Sequence, residues 1–465
     1  MLEDYLGNYL KKRGFKSYTE VRAQQNANRQ VTLLNGDLMN NLYQHTKGVN
    51  ARVIKNGAYG FASSSHYSAD EADLDQVLNA AESNAALLDA KAGLNQPPFP
   101  ANRAQSREDG LEMALPLSSK KLMDFANELD AYITERYPKL LSRMVRVNMN
   151  EVEKLLYTSE GVRSHSYFPR SNVMINLSML AKDGSPVEIY KVLGGLGSFT
   201  TKFPDPKFVF TELERLAEAL ERKAEGVFPE PGIKDVVLDS NIAGLLAHEA
   251  IGHTVEADLV RGGSVAGPNF GKMVASELVS LYDFANTAFG QPCPVPVYVD
   301  DEGTSAQDAH LISEGKLTAF MHNRESAQGL GHEPLGNARA NEFQDEPLIR
   351  MRNTCILPGE SKVEEMIGAI KHGYYLKGSN NGQADMTSEF MFGIVEGYEI
   401  NDGKLGRAIR DTTISGIAFE VLKTVDMLGD TLSWSNGGWC GKKQMILVGM
   451  GGPAVKCKVN IGGRA

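Results

Sequence analysis

The sequence predicts an α+β protein: an N-terminal domain of mixed helices and strands, residues 1–228, followed by a β-rich domain, residues 229–465, that carries one chemically unusual helix. Three observations point there. A chain of 465 residues exceeds what one hydrophobic core usually serves. Helical and alternating apolar patterns interleave through the first half. After the Pro- and Gly-containing stretch "GVFPEPG" at 226–232, short strand-like segments and two-residue turns dominate.

Taken in order, "MLEDYLGNYLKKRGF" sets Leu2, Tyr5, Leu6, Tyr9 and Leu10 on one helical face, with Gly14 placed to end the helix. Its acidic start and interrupted apolar pattern argue against a signal peptide. "TEVRAQQNANRQVTLLNGDLMN" and "GVNARVIKNGAYGFAS" read as strands, and Asn56-Gly57 is a two-residue hairpin signal. A helix is expected from about Ala72 to Leu88 with Leu74, Val77, Leu78, Ala81 and Leu88 inward. "NQPPFPANRAQSREDG" reads as a long surface loop.

Ser118 or Ser119 then caps a helix whose stripe is Leu122, Phe125, Ala126, Leu129, Tyr132 and Ile133, stopped by Pro138. Strands return at "MVRVNMNE" and "NVMINLSML", and Asp183-Gly184 turns the chain back. A helix near 206–225 closes the first half. In the second half "KDVVLDS" is a strand, the unusual helix follows, and Glu314-Gly315 and Asp402-Gly403 mark turns between short strands.

Composition narrows the function classes. With 42% apolar and 23% charged residues the chain is an ordinary globular protein. A formal charge of -10 and the lack of a basic run argue against direct nucleic-acid contact. No run approaches the roughly 18 apolar residues of a membrane span. Cys293, Cys355, Cys440 and Cys457 form no C-x-x-C pair, which suits free thiols in a cytoplasmic protein.

The chemistry gathers in "LAHEAIGHTVE", residues 246–256, where His248, Glu249 and His253 interrupt an apolar run. The spacing is H-E-x-x-x-H, one residue longer than the common zinc-peptidase pattern. In an α-helix i and i+4 lie about 40° apart and i and i+5 about 140° apart, so a regular helix could not aim both histidines at one ion. A wider π-type turn, or a helix ending near Gly252, would bring them together. On the same regular-helix logic, deleting Ala250 would rotate everything after it by about 100° and weaken metal binding.

The bland alternative is a core helix with two hydrogen-bonded histidines. Against it stands Glu249, because a carboxylate in a stretch suited to burial needs a partner, and a metal ion or its water would supply one. Two histidines do not complete a zinc site. Glu256 and Asp258 are the nearest candidates for a third ligand, and Cys440 in "SNGGWCGKK" is a distant one.

"HEAIGHTVEADLV", "VYVDDEGT", "LGNARA", "RMRNT" and "GGWCGKKQMILVGMGGPAVKCKVNIGGRA" together resemble the TldD/PmbA family of metallopeptidases, in its TldD-type, metal-bearing branch. The similarity runs over nearly the whole chain, and the five-residue histidine spacing is that family's hallmark. The resemblance implies Zn2+ held by His248, His253 and Cys440, with Glu249 as general base. It also implies an N-terminal α+β domain, a β-rich C-terminal domain, and a dimer enclosing the active site, formed with itself or with a PmbA-type subunit. Arg339 is followed by Ala340 where relatives carry a second arginine, and Trp439 precedes the cysteine; these departures keep the metal ligands, and substrate preference does not carry over from the resemblance.

Short or unfolded peptides are the expected substrates, met through their backbone as an added strand. Two other functions fit the chain less well: a non-catalytic scaffold subunit, and a protein-level modulator of DNA gyrase.

Overall fold

The computed structural model describes residues 2–66, 71–96, 99, 106–110, 117–435 and 438–462. Its first half is one seven-stranded sheet backed by helices. The strands are β1 (Tyr18–Leu34), β2 (Asp37–Lys55), β3 (Ala58–Ser64), β4 (Arg107–Gly110), β5 (Ser142–Thr158), β6 (Arg163–Leu180) and β7 (Pro186–Leu196). They run in the order β3-β2-β1-β5-β6, with β4 and β7 both on the outer edge of β6. Asn56 and Gly57 adopt φ of 51° and 85°, as a tight hairpin between β2 and β3 requires.

Two apolar clusters fix the helices. The Ser119–Arg136 and Lys207–Ala224 helices pack Leu122, Leu129, Ile133, Leu213 and Leu220 against Val145, Val173 and Ile175 of the sheet. Ser118 caps the first of these by accepting from the Lys121 N–H. The Leu2–Arg13 and Glu71–Ala92 helices pack Leu6, Leu10, Leu74 and Leu78 against Val21 and Val53. The side chains of Leu2 and Tyr5 lie outside the described residues.

Three expectations change. Leu88 is 46% exposed, and Ala85 is the last inward residue of its helix. The final turn lies over the polar 55–57 turn, where Asp89 binds Lys55 and Asn56. The strand-like stretch from Thr19 to Asn40, for which no turn was expected, is two strands, because Asn35 and Gly36, with φ of 54° and 88°, turn the chain. Within the expected long loop, much of which lies outside the described residues, Arg107–Gly110 pairs in parallel with β6. "REDG" has no strand pattern of its own, and the open edge of β6 supplies the ladder.

The second half holds two further seven-stranded sheets. One contains Leu281–Phe284, Asn353–Ile356 and Gln444–Gly452, with Gly438–Lys442 folded back on the last as a hairpin. The other contains β8 (Gly232–Leu238) between His372–Ala384 and Val455–Ile461. The motif segment is buried against both, with Leu246, Ala247 and Ile251 fully enclosed among Leu238, Met351, Phe392 and Val448. The helix that leads into it approaches the second-half sheet so closely that a Cβ on Gly244 would sit 2.8 Å from the Gly451 nitrogen.

Candidate metal centre

The Ser240–Leu245 helix, capped by Asp239, widens into a π-helix over Leu246–Gly252 and tightens into a single 3-10 turn at His253–Val255. Of the two ways to reconcile the five-residue spacing, the chain uses the π turn. Gly252 has an ordinary helical φ of -51°. Its requirement is space, since a Cβ there would lie 1.9 Å from the Met351 sulfur.

The widened turn puts the two imidazoles side by side, ring centroids 5.5 Å apart. Cys440 arrives from the Gly438–Lys442 hairpin with Sγ 3.3 Å from His253 Nε2. One ligand atom from each of His248, His253 and Cys440 lies within 4.8 Å of the others. His248 Nδ1 is 3.5 Å from the Thr354 hydroxyl, while its Nε2 is buried without a hydrogen-bond partner. An orphaned imidazole nitrogen beside a thiol fits a metal ion. Two imidazoles and one thiolate are donors that suit zinc over magnesium or calcium, and three protein ligands leave a fourth position for water.

Electrostatics point the same way. Burial alone would push the Cys440 thiol up, but His248 and His253 beside it hold it down to about 4. Burial would likewise lower His253, yet Cys440 and Glu256 hold it up to about 10. The two shifts oppose each other across one contact, where a bound cation would take over the role of the shared proton.

Glu249 is half-buried, its Oε2 3.8 Å from His253 Nε2, the imidazole nitrogen that faces Cys440. Glu256 and Asp258, weighed above as third ligands, do something else. Glu256 is fully buried and accepts from His253 Nδ1 at 3.0 Å. This fixes the tautomer and leaves Nε2 facing Cys440, as carboxylates behind metal-binding histidines do. Lys442 holds Glu256 at 3.3 Å and Asp258 at 2.9 Å, tying the cysteine hairpin to the motif.

Arginines in "LGNARA" and "RMRNT" build the frame. Arg350 is fully buried and donates to the carbonyls of Cys440 at 2.7 Å and Gln444 at 2.9 Å, holding both strands of the cysteine hairpin. Arg352 pairs with buried Asp283 at 2.8 Å. Asp301 and Glu302 of "VYVDDEGT" receive Lys154 and Arg52 from the first sheet, which locks the two halves together. Sequence reading alone gave none of these framing roles, since each pairs residues distant in sequence.

The chain matches the PmbA/TldA metallopeptidase C-terminal domain over residues 231–463 and PmbA/TldA metallopeptidase domain 1 over residues 19–85. It is 30% identical over 463 residues to a metalloprotease of Methanothermobacter thermautotrophicus, covering 98% of this chain and 97% of that one. It is 29% identical over 340 residues to a zinc metalloprotease TldD homolog of Saccharolobus solfataricus, covering 72% of this chain and 75% of that one. Its fold is that of TldE from Thermococcus kodakarensis, with a TM-score of 0.74 at 17% identity, covering 99% of this chain and 100% of that one. With this coverage the chain belongs to the TldD/PmbA family of metallopeptidases.

Proposed function

We propose that this chain is a zinc-dependent peptidase that hydrolyses short or unfolded peptides, with His248, His253 and Cys440 as metal ligands and Glu249 as general base. The observation that carries the reading is the convergence of those three donors, from two distant segments, with the Glu249 carboxylate 3.8 Å from His253 Nε2. The zinc named for the Saccharolobus relative is consistent with the donor set. When bound, such an ion acidifies a water and polarises the scissile carbonyl.

The chain's own residues do the rest. Glu249 takes the proton of the attacking water and passes it to the leaving amine nitrogen. Glu256 keeps His253 in one tautomer through Nδ1, and Arg350 holds the Cys440 backbone in register. We further read residues 1–228 and 229–465 as the two domains, and the chain as cytoplasmic. Its four cysteines are free and buried, and among the described residues no helix is long and apolar enough to cross a membrane.

A dimer, with itself or with a PmbA-type chain, completes the reading. It is supported by the exposed first half of β2, where Leu38, Met39 and Tyr43 are each at least half exposed. The mass of the complex co-purified from the native source distinguishes the two assemblies. An enclosed groove admits a chain only after local unfolding. Cleavage of one protein should therefore be compared with that of a destabilised variant of equal length, under conditions where only the variant is unfolded. Equal rates would contradict the substrate class proposed.

A further inference from the structure

The first sheet and the second half line a half-open cavity of about 320 Å3. Arg170 of β6 and Arg339 line it, and Trp439, Ile446 and Leu447 of the cysteine hairpin form part of its wall. Ile446 is the cross-strand partner of Cys440, so the cavity and the metal centre share one hairpin.

Both arginines are buried, yet among the described residues neither makes an ion pair, and Asp283 and Asp301 act on Arg339 only at longer range. Arg339 donates to the carbonyls of Met351 and Leu447, and Arg170 to that of Pro294. Arg170 Nη1 has no hydrogen-bond partner. Burial and the facing charge of Arg339 pull the Arg170 guanidinium down to about 10. The acids on the same walls are already engaged: Asp301 by Arg22 and Lys154, Asp300 by three main-chain N–H groups. Asp109 is held by Arg107, Glu151 by the Tyr167 hydroxyl and Glu342 by Gln344.

Buried charge without a counter-ion is costly, and a planar guanidinium is shaped to receive a carboxylate. The cavity is far roomier than a single ion or water needs, which is about 30 Å3. Phe168, Val297 and Leu447 add an apolar wall. We propose that this cavity binds the C-terminal carboxylate of a peptide at Arg170 and Arg339, with the last side chain on the apolar wall.

This deepens the peptidase reading by placing a free chain end on the hairpin that carries Cys440, which would direct cleavage toward the C-terminus. It rests on that reading only for the identity of the natural ligand, because binding can be measured without turnover. The probe is acetyl-Ala-Ala-Phe as free acid and as amide, titrated calorimetrically into the full-length Glu249→Gln protein. The acid should bind at least tenfold more tightly than the amide. Adding Arg170→Met should abolish the preference without loss of the folded state, since it removes an unpartnered charge. Arg170→Lys, which keeps the charge but not the fork, should retain a reduced preference. Equal affinity of acid and amide in the parent, binding of neither, or a full preference in both Arg170 variants would overturn the proposal. Absence of peptide turnover in the unsubstituted protein, with the acid preference intact in Glu249→Gln, would instead count against the peptidase reading.

Discussion

Glu256 Oε2 lies 3.0 Å from His253 Nδ1, fully buried, with Lys442 on its other side. The carboxylate selects which imidazole nitrogen faces Cys440. Glu256→Gln keeps the size but weakens that hold, so metal affinity should fall by roughly 10- to 100-fold. Chelator competition on the purified variant measures it. Unchanged affinity would mean that Glu256 only balances Lys442.

Each of His248→Ala, His253→Ala and Cys440→Ala should reduce bound zinc from about one per chain to near zero, because each removes one of three protein ligands. Elemental analysis after dialysis checks this. Retention of metal in Cys440→Ala would shift the third ligand to another residue.

Removing Ala250 reads differently in the structure than in the sequence. A regular helix would be rotated by the deletion, but here the π turn over Leu246–Gly252 already absorbs one extra residue. Its loss should leave an ordinary α-turn with the histidines four apart and about 40° apart in projection. Zinc binding should therefore survive the deletion, whereas one alanine inserted after Ala250 should abolish it. Loss of binding in the deletion variant would show that the π turn is itself required.

Gly252→Ala drives a Cβ into the fully buried Met351 sulfur. Overpacking of this kind costs about 1–3 kcal/mol. Denaturant unfolding should register the loss, and Gly252→Ala with Met351→Ala should recover part of it. An additive double variant would mean that the clash is relieved elsewhere.

The sequence made local features legible and long-range ones opaque. The Asn56-Gly57 turn and the Leu122-to-Ile133 stripe could be read because a few neighbouring residues determine them. The H-E-x-x-x-H segment was visible as a chemical anomaly, though its winding was not, because π and α turns share one composition. Cys440 is 187 residues from His253; its glycine-flanked setting makes it one candidate beside Glu256 and Asp258, and only the family resemblance singles it out. Glu256 was noticed as an acid, but its partner nitrogen depends on how the 3-10 turn rotates His253. Arg170 and Arg339 sit in different halves of the chain, and no local pattern announces that they face one cavity.

The central claim is that a metal bound by His248, His253 and Cys440 works with Glu249 as the base. Metal content and peptide turnover measured together on Glu249→Gln test it most directly. The account predicts about one zinc per chain, as in the parent, with turnover reduced at least 100-fold. Turnover equal to the parent, at equal zinc content, would contradict it.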